Sequence, residues 1–268
     1  MKFVFTRVAA AAVGALCALS ATSASAQYTV KLGGAYFDTN ATSTPLRGQL
    51  PAVNGSTYLG NINLAQGPSL EVQNKGTVTL SIERALGDHW GLELILGAPP
   101  KHDVKLRTGA LQMSPTAGLT QAVGSAAAAN GAVTQTAQKL NRNDGVVVAT
   151  VRQWAPTFFV NYRFFEPSAR LRPFVGVGIN VTRFKSRTNL AGDKVYNDGN
   201  PYIQLSDSYG PAIQAGVSYK LDAHWSLNAS VLTARVDNKL IIETAHSRQE
   251  ASFRFTPTVW SASVGYSF

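Results

Sequence analysis

The last residues of the chain alternate between apolar and small polar side chains with a period of two. Counting back from Phe268, the apolar positions are Phe268, Tyr266, Val264, Ala262 and Trp260, and the positions between them are Ser267, Gly265, Ser263 and Ser261. Successive side chains of a β-strand point to opposite faces of the sheet. The pattern therefore predicts a strand with one apolar face and one small, polar face.

Seven further segments repeat this alternation: residues 30–36, 77–83, 90–97, 152–165, 175–182, 213–220 and 226–231. Their polar faces carry charged residues, and burying such charges unpaired in the core of a soluble sandwich would be costly. A closed barrel avoids that cost because its apolar face meets lipid and its polar face lines the interior. The sequence predicts an all-β fold, an eight-stranded antiparallel transmembrane up-and-down β-barrel of a Gram-negative outer membrane.

The connections between these segments alternate between short and long. Short ones, at residues 86–89, 166–171 and 221–224, are predicted to be periplasmic turns, and two of them, around His89-Trp90 and His224-Trp225, resemble each other. The predicted extracellular loops are residues 39–68, 99–151 and 186–205, with a shorter tip at residues 246–250. Residues 108–138 carry no charge, which is typical either of a mobile flap or of a tolerated insertion.

The N-terminal residues have the pattern of a secretory signal peptide. Lys2 and Arg7 precede an apolar run of about twelve residues, too short to span a bilayer as a helix, and Ala24-Ser25-Ala26 follows. We expect residues 1–26 to be cleaved before Gln27, leaving residues 27–268 as one barrel domain. Export of the chain agrees with the predicted outer-membrane location.

Composition adds several expected absences. The lone cysteine, Cys17, lies in the predicted signal peptide, so the mature chain has no thiol chemistry. Removing Lys2 and Arg7 from 24 basic residues leaves 22 against 15 acidic ones. Basic clusters interleaved with aromatic residues are missing, which argues against a nucleic-acid partner.

The histidines do not predict a metal site or a catalytic centre. The four of them, His89, His102, His224 and His246, lie at separate turns or loops without the spacing of metal ligands. His224-Trp225-Ser226 places a histidine and a serine on one strand face, but at a periplasmic turn, where an interfacial tryptophan flanked by turn residues explains it. We expect no enzyme activity, no catalytic residue, no metal and no cofactor.

The inward-facing positions divide into two zones along the barrel axis. Toward the periplasm they are predicted to form a plug of charged residues, Lys31, Glu83, Glu93, Arg163 and Lys220. Toward the outside they become an apolar upper lumen that is the candidate ligand site, formed by Phe37, Ile95, Phe159, Phe184, Leu232, Val236 and Val259. An apolar solute entering from outside would then leave sideways into the membrane. The alternative is a narrow barrel whose interior is simply filled by side chains.

Several segments resemble the OmpW family of outer-membrane proteins. They are Gly91-Leu92-Glu93-Leu94 running to Pro99-Pro100-Lys101-His102, Ala155-Pro156-Thr157, Arg172 to Asn180, Ser208-Tyr209-Gly210 to Tyr219, and Ser263 to Phe268. Together they cover most of residues 74–268. The resemblance implies an eight-stranded barrel with a narrow, apolar passage for small hydrophobic compounds, and alkane uptake in one branch of the family. The first loop and residues 108–138 are longer than the family pattern.

Three function classes follow from these observations. The expected one is uptake of small hydrophobic molecules with lateral release; the others are a structural or interaction barrel acting through its extracellular loops and an outer-leaflet lipid enzyme. Expected partners are small hydrophobic solutes, outer-membrane lipid, and the assembly machinery through Tyr266 and Phe268. Lipopolysaccharide is a further partner if Arg183, Lys185 and Arg187 contact its phosphates; otherwise these residues form a solvated loop base.

Overall fold

A computed structural model describes residues 28–55, 57–196 and 201–268 of the chain. The predicted signal peptide lies outside the described residues. In chain order the strands are β1 (Tyr28–Asp38), β2 (Ala41–Thr42), β3 (Arg47–Asn54), β4 (Thr57–Gln66), β5 (Ser69–Val72), β6 (Lys75–Ala85), β7 (Trp90–Gly97), β8 (Lys101–Arg107), β9 (Gln112–Pro115), β10 (Val147–Trp154), β11 (Thr157–Arg163), β12 (Leu171–Thr188), β13 (Tyr202–Leu205), β14 (Ser208–Lys220), β15 (Trp225–Ala234), β16 (Val236–Glu243), β17 (Arg248–Phe255) and β18 (Thr258–Ser267). The helices are α1 (Ala117–Val123), α2 (Ala126–Arg142) and α3 (Leu190–Tyr196).

Eight of the strands close into an antiparallel barrel, which confirms the predicted fold. Around the barrel their order is β1, β6, β7, β11, β12, β14, β15 and β18, and β18 pairs again with β1. The register places Val30 opposite Tyr266 and also opposite Ile82 on the other side of β1. Closure leaves no unpaired sheet edge around this part of the molecule.

The predicted faces of the strands are confirmed. Large apolar side chains point outward, as shown by Leu32, Val177 and Ile213, which are 60%, 64% and 58% exposed. On the inner side Phe159 is fully buried. An exposed apolar wall around a buried, partly charged interior is the arrangement that a lipid bilayer requires.

The two similar turns form equivalent aromatic clusters at the periplasmic end. His89 stacks on Tyr162 with ring centroids 5.6 Å apart, and His224 stacks on Tyr266 at 5.5 Å. In both cases Nδ1 of the histidine lies 2.9 Å from the carbonyl oxygen of the residue that follows that tyrosine. Each turn is thereby tied to a neighbouring strand, and the two turns that resemble each other in sequence have equivalent contacts.

The predicted extracellular loops are largely folded, which corrects their description as loops. Residues 39–68 contain β2, β3 and β4. Residues 99–151 contain β8, β9, α1, α2 and most of β10. Residues 186–205 contain α3 and β13. The predicted tip at residues 246–250 belongs to a longer hairpin of β16 and β17. These strands form because alternate side chains, such as Leu50, Leu106, Leu240 and Ile242, enter a common apolar core.

The strand predicted at residues 152–165 is two strands. β10 ends at Trp154 and β11 begins at Thr157, because Pro156 has no N–H to donate to the ladder. The Pro156 carbonyl still accepts a hydrogen bond from the Val181 amide at 3.0 Å. Above this break β10 pairs with the upper part of β12 and with β8, so the wall continues beyond the membrane-spanning barrel.

The uncharged segment 108–138 is folded against the extracellular wall. Thr116 and Ser125 cap α1 and α2 by accepting hydrogen bonds from helical amides. Leu119 of α1 and Ala129 of α2 are buried together with Ile62 of β4. No helix within the described ranges is both long enough and apolar enough to cross a membrane.

Candidate solute site in the barrel interior

A cavity whose surface is mostly apolar occupies the upper half of the barrel, and hydroxyl and amide side chains such as Thr79, Asn180 and Ser261 also line it. Of the seven residues predicted for the upper lumen, five line it: Phe37, Ile95, Leu232, Val236 and Val259. Phe159 is fully buried beside the cavity and packs with Ile95 and Leu232. The cavity volume is about 80 Å³, room for a few small groups rather than a wide pore.

Buried ion pairs form the floor of this cavity. The ammonium of Lys31 lies 2.7 Å from a carboxylate oxygen of Glu83 and 2.8 Å from one of Glu93. The guanidinium of Arg163 pairs with the same Glu83 at 2.5 Å. Two cations therefore face two carboxylates, and four of the five residues predicted for the plug are together.

Neutral side chains complete the hydrogen bonding of the floor. Asn161 and Gln214 donate to one oxygen of Glu93 at 2.8 and 3.0 Å, and the Ser81 hydroxyl donates to the other at 2.8 Å. None of these three residues was among those predicted for the plug. Their inward parity was visible in the sequence, but parity does not tell which residues lie at the same height.

Lys220 is not part of the charged floor, which corrects its assignment to the plug. It is the last residue of β14, and its ammonium donates to the Pro167 carbonyl at 2.5 Å, beside a turn. There it lines a polar vestibule of about 560 Å³ below the floor, together with Asp88 and Arg172. The Lys220 side chain points to the inner side of the barrel, as predicted, but it lies nearer the periplasm than the other four residues of the predicted plug.

Phe184 also lies at a different height from the prediction. β12 extends beyond the membrane-spanning barrel, and Phe184 pairs with Gln153 of β10 in the extracellular wall. It lines a second apolar cavity, of about 40 Å³, with residues such as Leu240 and Phe253. Gln153 lines both this cavity and the one below it, so the two are neighbours.

His102 lies in the wall of the second cavity. Its Nδ1 lies 2.9 Å from the Gln73 carbonyl oxygen, and its ring meets the Phe37 ring edge-on, with centroids 6.1 Å apart. Burial lowers the pKa of His102, which favours the neutral imidazole. A neutral ring whose Nδ1–H donates to Gln73 adds no charge between the two cavities.

The barrel wall has a gap in its hydrogen bonding beside the upper cavity. The ladder between β6 and β7 ends where the Ala98 amide donates to the Val78 carbonyl, and pairing resumes where the Gln73 amide donates to the Asp103 carbonyl. Residues 74–76 and 99–101, all of them described, share no main-chain hydrogen bond. Pro99 and Pro100 lack the N–H that a continuous ladder needs, and Pro100 lines the upper cavity.

Within residues 28–55, 57–196 and 201–268, no three histidine, cysteine or acidic side chains are grouped so that they could hold a metal ion. The one catalytic candidate of the sequence, His224 with Ser226, has another explanation in the fold. The His224 ring stacks on Tyr266, while the Ser226 hydroxyl accepts a hydrogen bond from Asn228 at 3.2 Å. Both residues take part in ordinary packing and hydrogen bonding at the periplasmic end.

Comparison with known proteins finds relatives that are outer-membrane proteins. Outer membrane protein W of Escherichia coli (strain K12) is 35% identical over 121 residues, which cover 45% of this chain and 56% of that protein. Outer membrane protein W of Vibrio cholerae is 32% identical over 122 residues, covering 45% and 55%. The chain thus spans about half the length of the curated relatives it matches.

Two solved structures share the fold. The crystal structure of the outer membrane protein OprG from Pseudomonas aeruginosa has a TM-score of 0.66 at 19% identity and covers 91% of this chain and 96% of that one. The solid-state NMR structure of outer membrane protein AlkL in DMPC lipid bilayers has a TM-score of 0.51 at 17% identity, covering 92% and 94%. The model of the OmpW family matches residues 46–268. The chain therefore belongs to the OmpW family and is a β-barrel of the outer membrane.

Proposed function

We propose that this barrel takes up small apolar solutes across the outer membrane and releases them sideways into the lipid. The observation that carries the proposal is the apolar upper cavity above a closed, charged floor. A solute in this cavity contacts side chains such as Ile95 and Leu232. Below it, the paired charges of Lys31 and Glu93 oppose further descent, because an apolar molecule cannot replace their hydrogen bonds.

The gap in the wall supports release toward the membrane. Opening a continuous β-ladder would leave buried amide and carbonyl groups without partners, which is costly in lipid. Between residues 74–76 and 99–101 no such ladder has to be broken, and Pro100 borders the cavity there. On the outer surface next to the gap, Val78 is exposed where lipid chains would contact it.

Uptake of n-octane by Gram-negative cells with and without the protein tests the proposal. The gap is tested by Gly76→Trp, which adds bulk at an outward-facing position of β6 beside it. A Cβ at this position has one heavy atom within 4 Å, the Ala35 carbonyl oxygen at 3.7 Å, so the first atom of the new side chain fits without a clash. We expect uptake to fall to the rate of cells without the protein.

Gly34→Trp is the matched control. Gly34 also faces outward, and a Cβ there would have only the Thr77 carbonyl oxygen within 4 Å, at 3.8 Å. Unlike Gly76, it lies in a part of the wall that is paired on both sides, with Val78 of β6 and Ala262 of β18. Uptake should remain near the wild-type rate in this variant. Equal uptake with and without the protein would refute transport, and equal loss in the two tryptophan variants would refute release through the gap.

The second candidate function is an interaction barrel that acts through its extracellular segments. The observation in its favour is that residues 108–142 include two capped helices whose surfaces are mostly exposed. Replacing residues 108–144 by a short Gly/Ser linker tests it, since the Gly145 amide donates to the Leu106 carbonyl at 2.8 Å and the cut ends are adjacent. Loss of adhesion to a surface or partner with unchanged octane uptake would favour this function over transport.

A further inference from the structure

Five basic side chains lie together on the outward face of three neighbouring strands. They are Lys101 of β8, Arg152 of β10, and Arg183, Lys185 and Arg187 of β12, and all five are exposed. We call this set the basic row. The sequence placed Lys101 and Arg152 in or next to a predicted loop, so only the fold brings them beside the three residues of β12.

The register puts three of these cations directly side by side. Lys101 pairs with Arg152, and Arg152 pairs with Lys185. Side chains directly opposite each other in antiparallel strands have Cβ atoms about 4.5–5.5 Å apart, and like charges in such pairs repel. An anion lying over the three strands would be attracted to all three cations.

The basic row lies where the lipid-facing surface ends. On β12 the outward residues Val175, Val177 and Ile179 are exposed and apolar, and Arg183 follows two outward positions after Ile179. Arg183 pairs with Trp154, whose exposed ring marks the upper edge of the apolar surface. At about 3.4 Å per residue and a strand tilt near 40°, Lys185 lies about 5 Å above that edge, at the depth of lipid headgroups.

Three arginines of β15 to β17, on another part of the extracellular wall, are paired with carboxylates. Arg235, Arg248 and Arg254 each lie 2.7–3.0 Å from a carboxylate oxygen of β16 or β17. Around the five cations of the basic row, the three strands contribute one carboxylate, Asp103, and Asp207 lies 3.4 Å from Arg183. The described part of this surface therefore carries an excess of positive charge at headgroup depth.

We propose that the basic row binds the phosphate groups of lipopolysaccharide, the anionic lipid of the outer leaflet. Lysine and arginine side chains on adjacent strands can donate several charge-assisted hydrogen bonds to one phosphate, and arginine can do so with two parallel bonds. Contact with the headgroup fixes the height of the barrel in the outer leaflet on the side of β8, β10 and β12. This inference does not depend on transport of apolar solutes.

Binding of diphosphorylated lipid A to the purified protein, refolded in phosphatidylcholine vesicles free of lipopolysaccharide, tests the inference. The test variant is Lys101→Gln/Arg152→Gln/Lys185→Gln, for which we expect affinity to fall roughly tenfold or more. Wild-type protein should also bind dephosphorylated lipid A roughly tenfold more weakly. Folding of each variant is checked by its heat-dependent migration in gels, and Arg152→Gln alone, expected to lower affinity severalfold, replaces the triple variant if that does not fold.

The matched control is Arg235→Gln/Arg248→Gln/Arg254→Gln, which removes the same charge from the side where carboxylates pair with it. We expect its affinity for lipid A to stay near the wild-type value. Equal losses in the two triple variants would mean that net charge alone drives binding, and would overturn the inference. So would equal binding of phosphorylated and dephosphorylated lipid A, or an unchanged affinity in the basic-row variant. Octane uptake in the same vesicles should not change, so a failure here is distinct from a failure of the transport proposal.

Discussion

Replacing Lys31 by methionine is the most direct test of the charged floor. The ammonium of Lys31 lies between Glu83 and Glu93, and both carboxylates are almost fully buried. Methionine keeps the volume of the side chain but removes the charge. One carboxylate of the four charged groups then lacks a cation, because Arg163 can balance only one of them.

Breaking a buried ion pair by removing one partner destabilises a protein by about 3–5 kcal/mol. Since about 1.4 kcal/mol corresponds to a tenfold change in an equilibrium constant, Lys31→Met should lower the folding equilibrium constant by between about a hundredfold and a few thousandfold. Reversible urea unfolding from lipid vesicles, followed by tryptophan fluorescence, measures the free energy of unfolding. Lys220→Met is the control, because the Lys220 ammonium lies at the periplasmic mouth and donates to a carbonyl.

A double variant that also removes one negative charge tests the same ion-pair balance. In Lys31→Met/Glu93→Gln the remaining pair, Arg163 with Glu83, is neutral, and the glutamine can still accept a hydrogen bond from Asn161. The double variant should therefore recover most of the stability lost in the single one. The reasoning is refuted if Lys31→Met and Lys220→Met differ by less than about 1 kcal/mol, within the usual range for exposed pairs, or if the double variant is as unstable as Lys31→Met.

Two further predictions concern the glycine-lined interior and a periplasmic turn. A Cβ at position 176 would collide with Asn161 Oδ1 and lie 2.9 Å from Gln214 Cγ, so Gly176→Ala should destabilise the barrel by about 1–3 kcal/mol in urea unfolding, whereas Gly34→Ala, in open space, should not. Hydrogen bonds from the amides of Trp225 and His224 lower the pKa of Asp222 in the folded protein. The ionised carboxylate therefore stabilises the fold at pH values above the unfolded-state pKa, and this stabilisation is lost as the pH falls through the folded-state pKa. Asp222→Ala should thus be less stable than wild type near about pH 7 and equal to it well below about pH 4, and a difference that persists in acid would contradict this.

The barrel could be predicted from sequence because each spanning strand reports its own faces. On β12, for example, Val175, Val177 and Ile179 alternate with glycine and asparagine positions, and no distant partner is needed to see it. The extracellular strands were missed for the opposite reason. β3 contains Gly48 and Pro51, both of which weaken a local strand signal, and it joins the sheet between β4 and β17, the latter about two hundred residues away.

The candidate site was only partly predictable, because parity gives the face of a side chain but not its height. Lys31 and Lys220 both face inward, yet the Lys31 ammonium pairs with the buried Glu83, and the Lys220 ammonium donates to the Pro167 carbonyl beside a turn. The same limit separated Phe184 from the rest of the apolar upper lumen. Heights depend on register across strands, and register depends on the turns and on Pro156, whose effect on β10 and β11 was not foreseen.

The relative heights of floor, cavity and gap give the transport proposal its direction. Glu93 belongs to the floor, and the last ladder hydrogen bond before the gap is made by Ala98, five residues further along the chain. At about 3.4 Å per residue and a tilt near 40°, the gap begins about 13 Å above the floor and about 21 Å above Trp90, inside an apolar band about 25 Å tall. An apolar molecule that leaves through the lower end of the gap, next to Ala98, therefore meets lipid chains, whereas Lys101 at the upper end lies at headgroup depth. If Gly76→Trp blocks octane uptake and Gly34→Trp does not, the gap controls release.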